Sequence, residues 1–285
     1  MRALLAVLLL LLSGCSDGIS LINAISPHKG MAVDENVAYG NDPRQRMDIY
    51  WPATRKWRRA PVVVFVYGGS WHSGRRKDYG FVGTALARQG FIAVIPDYRI
   101  YPHAIFPVFV KDVARAVATV SRKIAKRRPV VLIGHSAGAE IAALIALDPR
   151  YLKADGIDVC RRIAGFVGLA GPYDFKPPRE LYWRIFPQAL LEESRPINFA
   201  KGHHPPSLLI SGTSDLVVSA EETEMLAAAL RRSGNEVRTA LYPGIGHVTL
   251  VGTLAPPLRQ FAPTLKAVSA FVRRESRKRP PYCHG

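Results

Sequence analysis

The stretch Val130-Val131-Leu132-Ile133-Gly134-His135-Ser136-Ala137-Gly138 passes from an apolar, β-branched run into the pattern G-x-S-x-G. The run predicts a buried strand, and the small residues after it predict a helix that continues to Leu147. In such a turn the serine is held in a strained conformation, and side chains at positions 134 and 138 would collide with neighbouring backbone. The sequence therefore predicts that Ser136 is a nucleophile whose hydroxyl projects into a cleft.

Segments on both sides of this stretch alternate between strand and helix patterns. Amphipathic helices are predicted at 110–124, at 220–232 and after Pro263, and strands are predicted at 47–51, 61–66, 91–95, 163–169, 208–210 and 237–242. This alternation is typical of βαβ units, so we expect an α/β domain over 37–275, with a mainly parallel, doubly wound sheet flanked by helices. Residues 172–206 contain seven prolines and interrupt the alternation of strands and helices. They predict either a short cap inserted near the mouth of the site or an inert surface loop.

A nucleophilic serine needs a base and an acid. Asp215 follows the strand at 208–210, and His247 follows the strand at 237–242. Both would lie on loops at the carboxyl edge of the sheet, where open α/β folds place their sites. We therefore predict a catalytic triad of Ser136, Asp215 and His247, with Asp174 as the alternative acid.

Acyl transfer also needs hydrogen-bond donors for the oxyanion that develops on the substrate. The loop after the first long buried strand reads Tyr67-Gly68-Gly69-Ser70-Trp71, and the missing glycine side chains leave backbone N–H groups open to a substrate. We assign the donors to the backbone N–H groups of Gly69, Ser70 and Ala137.

Further motifs accompany the triad over roughly residues 37–275, namely Tyr39-Gly40, Pro43-Arg44-Gln45, Asp48-Ile49-Tyr50, Asp97-Tyr98-Arg99, Phe106-Pro107, Asp112 and Pro205-Pro206-Ser207. In these motifs the chain resembles the α/β-hydrolase carboxylesterases of the hormone-sensitive-lipase-like and feruloyl/acetylxylan-esterase-like branches. The resemblance implies the α/β-hydrolase fold and cofactor-free cleavage of small-molecule carboxylic esters through an acyl-enzyme. Those relatives usually carry His-Gly-Gly where this chain has Tyr67-Gly68-Gly69.

Two other functions stay open at this stage. Kynurenine formamidases share much of the same pattern, so a formamide or amide hydrolase with the same triad is the first alternative. A non-catalytic lipoprotein that uses a hydrolase fold for binding in the cell envelope is the second. The pair His203-His204 lacks Cys, Asp or Glu at ligand spacing, and the strands lack a G-x-G-x-x-G or P-loop motif, so we expect neither a metal nor a nucleotide cofactor.

The first residues form a separate unit. Arg2, an apolar run and Leu12-Ser13-Gly14-Cys15 predict a signal peptide over 1–14, and the last four residues resemble a bacterial lipobox. Lipidation of Cys15 would anchor the protein without a transmembrane helix. We therefore expect export to the bacterial cell envelope, at the outer membrane facing the periplasm because Ser16 follows the cysteine, with a linker over 15–36.

The chain is strongly basic, with a formal net charge of +17. For an exported protein this charge favours an anionic membrane over nucleic acid as a partner, but a solvated basic surface with no dedicated partner is the preferred interpretation. Residues 276–285 are predicted to be a basic tail. If Cys15 is lipidated, Cys160 and Cys283 remain, and the sequence leaves open whether they form a disulfide. The oligomeric state is not predicted.

Overall fold

A computed structural model describes residues 15–26, 31–53, 57–126, 128–175 and 180–283. Eight strands form one sheet in the order β1-β2-β4-β3-β5-β6-β7-β8. They are β1 (Ala32–Ala38), β2 (Arg46–Trp51), β3 (Val62–Val66), β4 (Ile92–Pro96), β5 (Val130–His135), β6 (Ile163–Leu169), β7 (Ser207–Gly212) and β8 (Val237–Tyr242). β2 pairs antiparallel with both β1 and β4, and the pairs from β4 to β8 are all parallel.

The helices flank the sheet in the way that its parallel connections require. They are α1 (Cys15–Ile25), α2 (Gly80–Arg88), α3 (Val108–Val120), α4 (Ala137–Leu147), α5 (Pro149–Lys153), α6 (Val159–Arg162), α7 (Glu180–Ile185), α8 (Ala220–Arg232), α9 (His247–Gly252) and α10 (Thr264–Glu275). β3, β4, β5 and β6 are buried along their whole length, as expected for strands covered on both faces. The predicted α/β class and mainly parallel sheet are confirmed.

The segment 15–36 differs from the linker that the sequence predicts. It contains α1 and most of β1. Ile19 and Ile22 are buried, and they lie on one face of α1 because they are three residues apart. The predicted signal peptide, 1–14, lies outside the described residues. Within the described part of the chain, no helix is long and apolar enough to cross a membrane.

The predicted cap, 172–206, contains α7 and three short 3-10 turns, at Gln188–Leu190, Glu192–Ser194 and Pro196–Phe199. Ile185 and Phe186 are buried in the main core, so the described part of this segment that surrounds them is packed against the domain. The predicted basic tail is also fastened to the domain. Cys160 and Cys283 form a disulfide, and the side chain of Tyr282 is buried beside it.

Candidate active site

Ser136 occupies the turn between β5 and α4, in the strained conformation that its motif predicts. Its φ of 56° and ψ of −128° lie outside the helical and extended regions, and its N–H donates a 2.9 Å hydrogen bond to Leu169 O. A Cβ atom at Gly134 would overlap the backbone of Gly138 and Ala139, and one at Gly138 would overlap the end of β3. The two glycines therefore allow the sharp turn that presents the serine hydroxyl.

Three side chains from distant parts of the chain form a continuous line at the carboxyl edge of the sheet. Nε2 of His247 lies 2.8 Å from Oγ of Ser136, and Nδ1 of the same ring lies 2.7 Å from Oδ2 of Asp215. The structure thus brings together the three residues that the sequence predicts as a triad. The Ser136–His247 contact has the length that proton transfer from a hydroxyl to an imidazole requires, and the Asp215–His247 contact orients the imidazole.

Asp215 is held as a carboxylate by several donors. Burial by itself raises the pKa of this carboxyl group, but the hydrogen bond from His247 and those from the backbone N–H groups of Val218 and Val217 outweigh burial and lower it. The two backbone donors lie 2.8 and 2.9 Å from Oδ1. Asp174, the alternative acid, instead pairs with Arg195. The structure therefore places Asp215, and not Asp174, against the imidazole.

The three predicted oxyanion donors lie around Ser136. Gly69 and Ser70 have φ values of 129° and 50°, and Trp71, which follows them, has 59°. Among the described residues, no acceptor is hydrogen-bonded to the backbone N–H of Gly69, Ser70 or Ala137. Unpaired N–H groups beside a serine hydroxyl can stabilise a negative oxygen.

The loop over residues 67–74, which carries the predicted donors Gly69 and Ser70 and is called the oxyanion loop below, is anchored by a polar network. The ring of Tyr67 is fully buried, and its hydroxyl donates a 2.8 Å hydrogen bond to Oδ1 of Asp97. Arg44 donates to the same hydroxyl at 3.0 Å and to Gly74 O at 2.8 Å. Tyr98 donates to Tyr67 O at 2.8 Å. The motif residues around Asp97 and Arg44 thus fasten both ends of the loop.

Two buried groups close to the triad were not assigned a functional role from the sequence. The pKa of His135 is lowered to about 3 by burial and by the neighbouring ring of His247, so its imidazole is neutral and adds no charge beside the base. Glu140 is fully buried, and its Oε2 accepts a 3.1 Å hydrogen bond from Nε1 of Trp71, on the oxyanion loop. In the sequence, the only signal for a role of Glu140 is its position one turn after Ser136, in α4.

Two cavities meet at Ser136. The helix-side pocket, of about 250 Å³, is lined by α1, the oxyanion loop and α9 through Ile19, Gly68, Gly69, Ser70, His72, Ser73, Gly74, Asp78, Tyr79, His135, Ser136, Val217, His247 and Val248. The cap-side pocket, of about 260 Å³, is lined by Ser70, Trp71, Ser136, Ala137, Pro172, Phe175, Tyr182, Val217, Val218, Ser219 and Glu222. A substrate bonded to Ser136 can therefore place one group in each pocket.

His204, half of the weak metal-site motif, has a structural role. Its ring atom Nε2 lies 2.9 Å from Lys201 O, and its backbone N–H donates a hydrogen bond to Oδ1 of Asn235. No group of three or more His, Cys, Asp and Glu side chains within the described ranges is arranged to hold a metal ion.

Comparisons of the fold with solved structures agree with the architecture. Esterase B from Lactobacillus rhamnosis, crystallised with a C6-C4 SN3 inhibitor, superposes with a TM-score of 0.77 at 21% identity, over 92% of this chain and 93% of that one. A truncated carbohydrate esterase from gut microbiota superposes with a TM-score of 0.73 at 20% identity, over 87% of this chain and 97% of that one. The chain has the α/β-hydrolase fold.

Sequence comparisons find esterases among the relatives. Residues 47–180 match the BD-FAE family. Esterase LipC of Mycobacterium tuberculosis is 29% identical, over 90% of this chain and 68% of that protein. Isoprenylcysteine alpha-carbonyl methylesterase ICME of Arabidopsis thaliana is 30% identical, over 80% of this chain and 58% of that protein. Kynurenine formamidase of Salmo salar is 30% identical, over 66% of this chain and 62% of that protein. The chain thus spans 58% to 68% of the length of these relatives.

Proposed function

We propose that the chain is a cofactor-free serine carboxylesterase. The observation that carries the proposal is the unbroken line from Asp215 through His247 to Ser136, which ends at two pockets and beside unpaired backbone donors. Similarity to esterases such as LipC and ICME supports ester bonds as the substrate class.

The geometry supports an acyl-enzyme route. His247 Nε2 takes the proton of the Ser136 hydroxyl as Oγ attacks the ester carbonyl, and the carbonyl oxygen becomes an oxyanion held by the N–H groups of Gly69, Ser70 and Ala137. When this intermediate collapses, the C–O bond breaks and the imidazolium gives its proton to the departing alcohol. Water then attacks the acyl-enzyme with the same base, and the acid and free Ser136 are released.

The proposal is tested with p-nitrophenyl acetate and butyrate. We expect the wild type to hydrolyse at least one of them and Ser136→Ala to lose almost all of that activity. Ser136→Ala is also the control for non-enzymatic and contaminating hydrolysis. Full turnover in this variant would show that another group carries the reaction.

A formamide or amide hydrolase with the same triad is the second candidate, and similarity to kynurenine formamidase favours it. N-formyl arylamines separate the two activities in one assay series. Faster turnover of the formyl-arylamine than of p-nitrophenyl butyrate, measured as kcat/KM, would replace the ester assignment.

A non-catalytic role in envelope binding requires instead that a fluorophosphonate probe fail to label Ser136.

We further propose that the protein is exported and anchored through lipid chains on Cys15, at the outer membrane facing the periplasm. The signal-like residues 1–14, the lipobox-like Leu12-Ser13-Gly14-Cys15 and Ser16 support this location. The Cys160–Cys283 disulfide is consistent with an oxidising compartment. Cys15→Ser should move the protein from the membrane fraction to the soluble fraction, and unchanged fractionation would refute the anchor.

A further inference from the structure

The two pockets at Ser136 are each small. Their volumes of about 250 and 260 Å³ lie below the roughly 300–1,000 Å³ of sites that enclose a whole drug-sized ligand. Short groups fit within them, but a long acyl or alcohol chain must leave through the mouth and run over the rim. The chemistry of that rim therefore determines which long substrates the site can accept.

Helix α1 forms one side of the rim and is fastened to the catalytic machinery. Ile19 lines the helix-side pocket. Ile22 is fully buried and faces Gly252, at the end of the helix that His247 begins. The side chain of Asn23 donates a 2.9 Å hydrogen bond to Lys77 O and accepts a 3.0 Å hydrogen bond from the N–H of Phe81. These contacts hold α1 in place as a wall of the pocket.

The loop that carries Asp215 forms another part of the rim and is apolar. Leu216 is 99% exposed and Val217 57% exposed, and Val217 also lines both pockets. Beside the cap-side pocket, Trp183 is 47% exposed and follows Tyr182, which lines that pocket. Single exposed apolar side chains are common on proteins. Here Val217 stands at the margin of both pockets, and Leu216 and Trp183 each adjoin a lining residue in the chain, so exposed apolar side chains gather around the mouth, as is typical of contact with an apolar partner.

Helix α1 begins at Cys15, and one helical turn, about 6 Å of rise, separates Cys15 from Ile19 in the pocket wall. Lipid chains on Cys15 would therefore hold the mouth of the site close to a bilayer. Cleavage before Cys15 removes one charged residue, Arg2, so the anchored chain would keep a formal charge of +16, which adds attraction to anionic headgroups.

We propose that the cleft takes esters with long apolar chains directly from a lipid surface, with Leu216 inserted among the acyl chains and α1 forming the wall beside the bound substrate. This inference rests on the esterase activity proposed above and names its substrate class. Leu216 contacts the bilayer and lines neither pocket, so its replacement separates contact with lipid from catalysis.

The test uses p-nitrophenyl palmitate in vesicles of phosphatidylglycerol and phosphatidylethanolamine, with water-soluble p-nitrophenyl butyrate in parallel. All proteins carry Cys15→Ser, so that lipid chains do not hide the contribution of Leu216. We expect Leu216→Ser to lower both co-sedimentation with vesicles and palmitate hydrolysis by about tenfold, the loss expected for one leucine leaving an apolar environment. Butyrate hydrolysis should not change.

Trp57→Ser is the control for loss of exposed apolar surface away from the site, because Trp57 is 37% exposed, packs only partly against Trp51 and precedes β3, at the amino end of the strands, whereas Ser136 follows the carboxyl end of β5. It should affect neither vesicle binding nor the ratio of the two rates. Unchanged vesicle binding and palmitate hydrolysis in Leu216→Ser would overturn the inference. If the wild type cleaved neither ester, the proposed activity would fail, and co-sedimentation of Leu216→Ser would still decide the lipid contact independently.

Discussion

Replacement of Glu140 by glutamine should change how the stability of this protein depends on pH. Glu140 has no exposed surface, and its Oε1 has no hydrogen-bond partner among the described residues. Because burial removes the water that stabilises a carboxylate, the pKa of Glu140 is raised well above its ordinary value of 4.5, and the hydrogen bond from Trp71 opposes this only in part. The side chain is therefore protonated in the folded protein over a pH range in which the unfolded chain has lost that proton.

The sign and size of the effect follow from proton linkage. Above pH 4.5 the folded state binds one proton more than the unfolded state, so the free energy of unfolding falls as the pH rises toward the folded pKa of Glu140. The slope is at most about 1.4 kcal/mol per pH unit, or up to about 2.7 kcal/mol between pH 5 and pH 7. Glutamine has no proton to lose. The extra buried N–H groups of its amide lower the free energy of unfolding by a constant amount, about 1–3 kcal/mol, at every pH.

The measurement is urea unfolding at pH 5, 6 and 7, followed by tryptophan fluorescence, for the wild type, Glu140→Gln and the exposed control Glu224→Gln. We expect the stability of Glu140→Gln relative to the wild type to improve steadily with pH, while Glu224→Gln stays parallel to the wild type. Parallel curves for Glu140→Gln would show that Glu140 is ionised in the fold, and would refute the reasoning. In the esterase assay, Glu140→Gln should keep the acceptor for Trp71 and most activity, whereas Glu140→Leu should lower kcat.

Three further outcomes are expected. Asp215→Asn should lower kcat by about 10⁴-fold in the p-nitrophenyl ester assay, because the amide favours the wrong tautomer of the base; a loss under tenfold would contradict a triad role. Tyr67→Phe should cost about 1–3 kcal/mol in urea unfolding, because it removes the donor to buried Asp97, and should lower kcat; unchanged stability would contradict this anchor. Cys283→Ser should cost about 2–4 kcal/mol, since the bond to Cys160 closes a loop of 123 residues; reductant should destabilise the wild type similarly and leave the variant unchanged.

Local patterns were sufficient to predict most of the architecture. The strands at 62–66, 130–135 and 163–169 were recognisable because a strand covered on both faces must be apolar throughout. β1 was not recognisable, since it is an edge strand in which most residues are exposed and no apolar run marks it. α1 was predicted as part of a linker, because it is short, directly follows the signal-like residues, and depends for its burial on contact with α9, more than 200 residues away.

The amino-acid sequence by itself predicted Ser136 as the nucleophile, determined its sharp turn and set the order in which Asp215 and His247 follow, because sharp turns and buried strands restrict which residues can occupy them. Only the tertiary structure decided that Asp215 rather than Asp174 meets the imidazole, that Cys160 is joined to Cys283, and that α1 closes one side of the pocket at Ser136. Each of these three features is a contact between residues that are far apart in the chain. They depend on how the sheet twists and how the helices pack over it, which no local pattern records.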